Sequence, residues 1–304
     1  MLELEDLTYS RHETISAVTD YCQFLTQMYL LDSQVIYPPA GGWPSIVNAD
    51  AATLAALGKS DEVLALLAHL PYIRNSSNWS DDAEAMPGCV FADWQDLIVA
   101  MTRATDTPAK AKEIRVITED ADFFAFAPSH TVSLTCGGRE NPVLILDTKY
   151  GIIHWEECPL NFEHAYFSTR VDYDPPDGDS DSDSGSDEDQ DHDQDQDQDD
   201  ERDESVRGKE LAWRQGAPAW AIPNFFENLK DRFKKLHWFP TGNHSVRNSE
   251  WVDLDGEGMV TMVQDIDREH SWPDLTRYRK DECLDAVRTA LKARYPSCID
   301  FREC

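Results

Sequence analysis

Basic charge is scarce in this chain, and long apolar runs are missing. Lys and Arg number 27 against 58 Asp and Glu, a formal net charge of −31. No basic stripe is present to neutralise phosphates, so nucleic acid is not an expected partner. No stretch of about 18 apolar residues occurs, so no membrane span is expected. The opening MLELEDLTYSRHE is acidic and has no apolar core, unlike a secretory signal or a basic transit peptide. Paired cysteine spacing is also missing. Cys22, Cys89, Cys136, Cys158, Cys283, Cys298 and Cys304 are odd in number, widely spaced and without a CxxC pair. That pattern argues against a disulfide framework or a zinc ribbon, and for free thiols in a reducing compartment. The expectation is an intracellular protein, cytoplasmic or nuclear.

Catalytic signatures are equally scarce. Gly41-Gly42 and Gly137-Gly138 stand outside any GxGxxG or GxxxxGK[ST] pattern, so neither forms a phosphate cradle. GxSxG, HExxH and the kinase set do not occur. His154-Trp155-Glu156 has the HxE of zinc deaminases, but the matching PCxxC is missing and Cys158 precedes its proline. A histidine at a strand end is the simpler account. Asp177, Asp179, Asp181 and Glu188 fall on calcium-loop positions, yet Ser182 stands where the turn glycine belongs. His69 lies on an apolar helix face and reads as a packing residue. No catalytic residue, cofactor site or metal site is expected.

What is present is an α+β pattern broken by acidic sequence. Residues 172–204 hold 18 Asp and Glu against one Arg, so −17 of the chain's −31 sits there. Apolar residues nearly vanish over 171–209. Such a stretch cannot bury enough surface to offset its ordering entropy, and a disordered acidic loop is predicted. Ser180, Ser184 and Ser186 each have Asp three residues downstream, an acidophilic kinase pattern that marks them as possible phosphorylation sites.

Before the acidic stretch, apolar residues at three- and four-residue spacing predict a helix over about Glu13 to Leu30. The segment VIYPPAGGWPSI forbids regular structure, and Trp43 within it is expected to pack onto the fold. Asp50 and Ser60 suit the N-caps of AATLAAL and DEVLALLAHL, with Gly58 and Pro71 as stops. Val90 to Met101 reads as a strand entry or a short helix. The runs IRVIT, DFFAFA, HTVSLTC, PVLILD and GIIHW are rich in β-branched and aromatic residues, with a hairpin turn over Asp147 to Gly151. Short links between them imply antiparallel pairing. The fold class is therefore α+β, an antiparallel β-meander of four or five strands packed with flanking helices. After the acidic loop, helices are predicted from Asn224 to Leu236, Glu257 to His270 and Asp281 to Arg294. Residues 1–170 and 210–304 are read as two parts of one domain around the insert at 171–209.

Two resemblances accompany this reading. YPPAGGWPSI, LGKSDEVLALLAHLPYI, PVLILDTKYGIIHWEECP and REHSWPDLTRYRKDECLDAV together resemble an uncharacterised family of fungal intracellular proteins with a PPxGGWP loop. The hairpin and the FFENLK helix, through Ile145, Leu146, Asp147, Gly151, Ile152, Phe225, Phe226 and Leu229, resemble the SUKH superfamily. That second resemblance implies a non-enzymatic protein-interaction module with an unknown protein partner. An apolar surface around Trp43, Pro44 and Trp220 is the expected contact region. Two alternatives stand beside it. One is an acidic charge mimic or chaperone-like binder of basic proteins through residues 172–204. The other is an enzyme of unfamiliar type.

Overall fold

In the computed structural model, residues 2–74, 82–119, 123–137, 141–172, 208–209, 213–214, 216–250 and 258–296 are described. The fold is organised by two helices far apart in sequence. Helix α1 spans Arg11–Met28, opened by Ser10, whose hydroxyl accepts from Glu13 N. Its buried stripe includes Val18, Tyr21, Cys22, Leu25 and Met28, a three- and four-residue repeat that faces one partner. That partner is the helix Ile222–Lys234, which meets it in an aromatic seam. Tyr21 packs on Phe226 and Phe24 on Phe233, with ring centroids 5.3 and 6.0 Å apart. The C-terminal carbonyls of α1 would otherwise lack donors. Lys280 supplies them, reaching Thr26 O at 2.9 Å and Leu30 O at 3.1 Å.

Beneath these helices lies a mixed six-stranded sheet. The strands in chain order are β1 (Leu2–Glu3), β2 (Val35–Ile36), β3 (Tyr72–Ile73), β4 (Glu84–Met86), β5 (Cys89–Val90), β6 (Thr131–Ser133), β7 (Leu144–Asp147), β8 (Ile152–Trp155), β9 (Arg170–Asp172), β10 (Ala219–Ala221), β11 (Trp238–Pro240) and β12 (Val246–Asn248). The large sheet runs β1-β9-β10-β8-β7-β6, and the remaining strands form three small antiparallel pairs. All pairings in the large sheet are antiparallel except β1 with β9, which is parallel. Alternation along the strands sends Leu144, Leu146, Ile153 and Trp220 into the main core. Ile152, Val171 and Ala219 turn to the opposite face, where they form a small separate cluster with Leu2, Leu4 and Leu7. The sheet is thus covered on both faces.

The expected four- or five-strand meander is therefore corrected to a mixed sheet in which only β6, β7 and β8 form a meander. IRVIT lies inside helix α6 (Thr107–Glu119), and DFFAFA contains a 3-10 turn at Phe123–Ala125. The deciding signal for α6 is upstream. Asp106 accepts from Ala109 N at 3.0 Å, and Ala111, Ile114 and Thr118 recur at helical spacing and are buried. That wider period overrides the local β-propensity of Ile-Arg-Val-Ile. The pieces missed as strands flank the acidic stretch: β9 and β10 pair directly, Ala219 with Val171 and Trp220 with Arg170. The predicted loop over 171–209 is corrected at its start, since Val171 and Asp172 belong to β9. Residues 173–207, which contain the calcium-loop match and Ser180, Ser184 and Ser186, lie outside the described residues.

VIYPPAGGWPSI, expected to lack regular structure, holds β2 at one end and at the other a short helix opened by Pro44, a residue suited to the first helical position. The remaining helices complete the frame. They are α2 (Pro44–Val47), α3 (Ala51–Leu57), α4 (Asp61–Leu67), α5 (Trp94–Arg103), α7 (Leu160–Ala165), α8 (the helix Ile222–Lys234 already described), α9 (Met259–Glu269) and α10 (Lys280–Arg294). Asp50 and Ser60 cap α3 and α4, and Gly58 closes α3 in the left-handed region. Val90 to Met101 divides between β5 and α5. A fully buried ion pair, Lys59 with Glu119, ties the turn between α3 and α4 to the end of α6. Arg115 joins it at 3.1 Å from the second Glu119 oxygen.

Helices α9 and α10 meet around Asp267. Its carboxylate is buried and accepts from the Cys283 thiol at 3.2 Å. Burial, more than any neighbour, raises its pKa from 3.8 to about 6. The folded state therefore holds this proton at pH values where the unfolded chain has lost it. Stability from this site is full below about pH 4 and is lost as pH rises through 6. Asp267→Asn keeps the acceptor for Cys283 and removes the charge. It should be the more stable protein at pH 8, by about 2 kcal/mol, with the difference closing by pH 4. Thermal melts of both proteins across that range measure it, and a gap independent of pH would contradict the assignment.

Candidate functional site

Asp147 ends β7 and begins the turn into β8. One carboxylate oxygen accepts from Lys149 N at 2.8 Å and Tyr150 N at 3.2 Å, the local bonding that makes Asp a turn former. Gly151 completes the turn with φ of +72°. A Cβ there would stand 3.1 Å from the backbone of Tyr9, so the turn and the approach of the N-terminal segment both require glycine. The second oxygen of Asp147 accepts from Arg214 Nη1 at 2.6 Å, and both side chains are buried. Arg214 lies 67 residues further along, beyond the acidic stretch.

Two histidines complete the group. His154 projects from β8 on the same face as Asp147, because the register pairs Asp147 with Ile152 and Ile145 with His154. Its Nδ1 donates to Ala217 O at 3.4 Å, which leaves Nε2 to accept from Arg214 Nη1 at 3.3 Å. His130 Nε2 lies 3.3 Å from Arg214 Nη2 and 3.6 Å from Asp147 Oδ2. Trp213 closes the group from above, stacked on Phe123 at 4.2 Å and tilted against His154 at 4.6 Å. Burial and the Arg214 charge lower the His154 pKa from 6.5 to about 4, so its ring is neutral at physiological pH. The chemistry of this group is cohesion: an ion pair, a neutral imidazole and an aromatic cover hold the returning chain against the sheet.

The residues singled out as a contact surface do not form one. Trp220 is fully buried, and its indole N–H donates to Tyr166 O at 3.2 Å. Trp43 is buried as well, with its N–H on Leu70 O at 2.8 Å and its ring 5.9 Å from Tyr72. Only Pro44, at the start of α2, is exposed. The expected apolar surface is thus corrected: a tryptophan in a Pro-Gly loop carries enough area to be drawn into the core. Ile145, Leu146, Ile152, Phe225, Phe226 and Leu229, which carry the SUKH resemblance, are likewise buried.

His69, expected on a helix face, stands just past the end of α4 and donates from Nδ1 to Ala65 O at 2.8 Å. Cys22, Cys89, Cys136 and Cys283 are buried and Cys158 is half-buried, all as free thiols. Burial pushes the Cys22 thiol up to about 12 and Cys136 to about 11, so neither is an activated thiolate. Among the described residues, no group of three or more His, Cys, Asp and Glu is arranged to hold a metal ion. Among them, too, no helix is long and apolar enough to cross a membrane. A small cavity of about 20 Å³ lies among Val18, Cys22, Tyr72, Phe91 and Trp94. That is room for no more than one water, and the lining is largely apolar. The element of this group that sequence reasoning missed is the buried pair of Arg214 with its acceptor Asp147. The available signal was a lone Trp-Arg pair resuming apolar sequence after the acidic run.

Arg214→Met leaves the Asp147 carboxylate buried without its cation and should destabilise the protein by about 3–5 kcal/mol. Combining it with Asp147→Asn should recover part of that loss, so urea unfolding of the two single variants and the double variant should show strong coupling. His154 adds a pH signature. Its depressed pKa means that its stabilisation is present above pH 6.5 and is lost as pH falls toward 4. The advantage of the wild type over His154→Gln should shrink by up to about 3 kcal/mol between pH 7 and pH 4.

Compared with family models, curated proteins and solved structures, the chain matches none of them.

Proposed function

We propose that this chain is a non-enzymatic, SUKH-like protein-interaction module that works inside the cell. Its contact element is the acidic connection over residues 172–204, and its partners are basic proteins. One observation carries the reading: the placement of the two ends of that connection. It leaves the sheet at Asp172 in β9, and the chain re-enters it at Ala219 in β10, the directly paired neighbour. Just before re-entry, Arg214 is clasped by Asp147. The sequence of net −17 therefore begins at one strand of the sheet, and the chain after it resumes at the neighbouring strand, so both of its flanks belong to one platform. Concentrated charge of one sign steers oppositely charged partners and accelerates encounter. The free thiols of Cys22, Cys89, Cys136, Cys158 and Cys283 support a reducing compartment. Phosphorylation of Ser180, Ser184 or Ser186 would add about −1.5 to −2 each and strengthen the same attraction.

The test replaces residues 174–205 by a short Gly-Ser link. Loop-closure entropy changes by only about 0.6 kcal/mol per doubling of length, so the thermal midpoint should hold or rise slightly. Binding of a lysine-rich peptide, read by fluorescence anisotropy, should be lost. In the unaltered chain that binding should weaken steeply from 50 to 300 mM salt, as the Debye length falls below about 8 Å. A midpoint lower by many degrees would show that the segment packs on the body. Peptide binding that survives the replacement would move the contact elsewhere.

A further inference from the structure

The two edges of the large sheet are closed in different ways. At the β6 edge, the Trp94 indole N–H donates to Ser133 O at 2.9 Å, and directly after the strand Ala92 N donates to Leu134 O at 2.9 Å and Cys136 N to Val90 O at 3.1 Å, so a neighbouring segment of the main body covers that end of the edge. At the other edge β9 is paired only by β1, a strand of two residues, with Leu2 opposite Val171 and Glu3 opposite Asp172. The segment then turns over Leu4–Asp6. Leu2, Leu4 and Leu7 rest on the small cluster of Ile152, Val171 and Ala219, apart from the main core, and all three leucines remain half-exposed. Across the short strand and the turn after it, Leu2, Leu4 and Leu7 are the half-buried positions that pack on the cluster, whereas Glu3, Glu5 and Asp6 are exposed.

This cover is electrostatically mismatched to its seat. In a parallel pair, residues in register project from the same face, so Glu3 and Asp172, both exposed, stand side by side. Like charges directly opposite are destabilising. The apolar positions suit the seat and the charged positions oppose it. We infer that the β9 edge is a strand-addition site for an extended partner segment that alternates leucine-like and basic residues, and that residues 2–7 occupy it in the free protein. Such a partner keeps the apolar contacts and sets Lys or Arg beside Asp172 in place of Glu3. Main-chain hydrogen bonds supply affinity and the alternating side chains supply selectivity, as in other strand-addition recognition. The inference deepens the reading above, since it rests on a basic partner, and it adds where and in what conformation that partner binds.

Two peptide probes separate this proposal from the one it rests on. The first has the sequence of residues 2–7 with Glu3, Glu5 and Asp6 each changed to Lys; the second is hexalysine. The alternating probe should bind the full chain and also the protein whose residues 174–205 are replaced by a Gly-Ser link. Hexalysine should bind only the former. Hydrogen exchange with the alternating probe bound should rise at residues 2–7, while 170–172 stay protected. The variant Leu2→Ser/Leu4→Ser/Leu7→Ser loosens the native cover and should bind the alternating probe about tenfold more tightly. Loss of both probes on replacement, unchanged protection at residues 2–7, or unchanged affinity in the leucine variant would each overturn the edge site. Failure of hexalysine alone would sink the acidic-segment reading and leave the edge site standing.

Discussion

The carboxylate of Asp147 does two jobs at once, and the architecture hangs on their combination. One oxygen closes the turn between β7 and β8, and the other holds the Arg214 guanidinium at 2.6 Å in a buried setting. A buried ion pair adds little net stability over an apolar pair of equal volume, because both charges are desolvated. Its consequence is positional. Once Asp147 is buried, an arrangement that leaves it without a cation is penalised by several kcal/mol. The chain returning from the acidic stretch therefore has one place to dock. Trp213 then covers Phe123 and His154, and β10 enters the sheet between β8 and β9. Helix α8 follows directly from β10, so the aromatic seam with α1 is downstream of the same clasp.

Charge is sorted in this molecule by its consequences for burial. The buried ionic groups are paired or bonded: Lys59 with Glu119, Asp147 with Arg214, Asp267 with the Cys283 thiol. Burial lowers the pKa of Lys59 and raises that of Asp267, the directions expected when each charged form is disfavoured. More than half of the net negative charge is instead concentrated in sequence at 172–204. This separation lets a chain of net charge −31 build an ordinary apolar interior from Tyr21, Leu25, Phe225, Phe233 and their neighbours.

Much of the helical framework was legible because it depends on local rules. Ser10, Asp50 and Ser60 accept from the backbone three residues on, and Gly58 takes the left-handed stop. The hairpin around Asp147 and Gly151 was legible for the same reason. The sheet was not. Its strands β1, β9 and β10 are two or three residues long, too short for a period of two to register, and their partners are distant in sequence. PVLILD and GIIHW carry apolar residues at successive positions, which marks strands buried on both faces rather than a half-exposed meander. Trp220 shows the complementary error: expected in a contact surface, it has its indole N–H on a buried carbonyl, while Trp43, expected both to pack on the fold and to form contact surface, does only the first.

The sheet's second face joins these observations. Strand alternation places Asp147, Ile152, His154, Val171 and Ala219 on it, so two separate pieces of chain cover it side by side. One is the Trp213–Arg214 return, held by a buried ion pair and stacked rings. The other is the N-terminal segment, held by three half-exposed leucines and a two-residue pairing that sets Glu3 beside Asp172. Covers of such unequal strength do not open together. Local stability follows buried apolar contact and protected backbone bonding, so the N-terminal cover is the weaker of the two. The N-terminal cover stands beside Asp172, where the acidic sequence begins, and Arg214 comes later in the chain than its end. The proposed exchange at the β9 edge would therefore leave β10 in place between β8 and β9, because the clasp at Arg214 does not depend on the N-terminal cover.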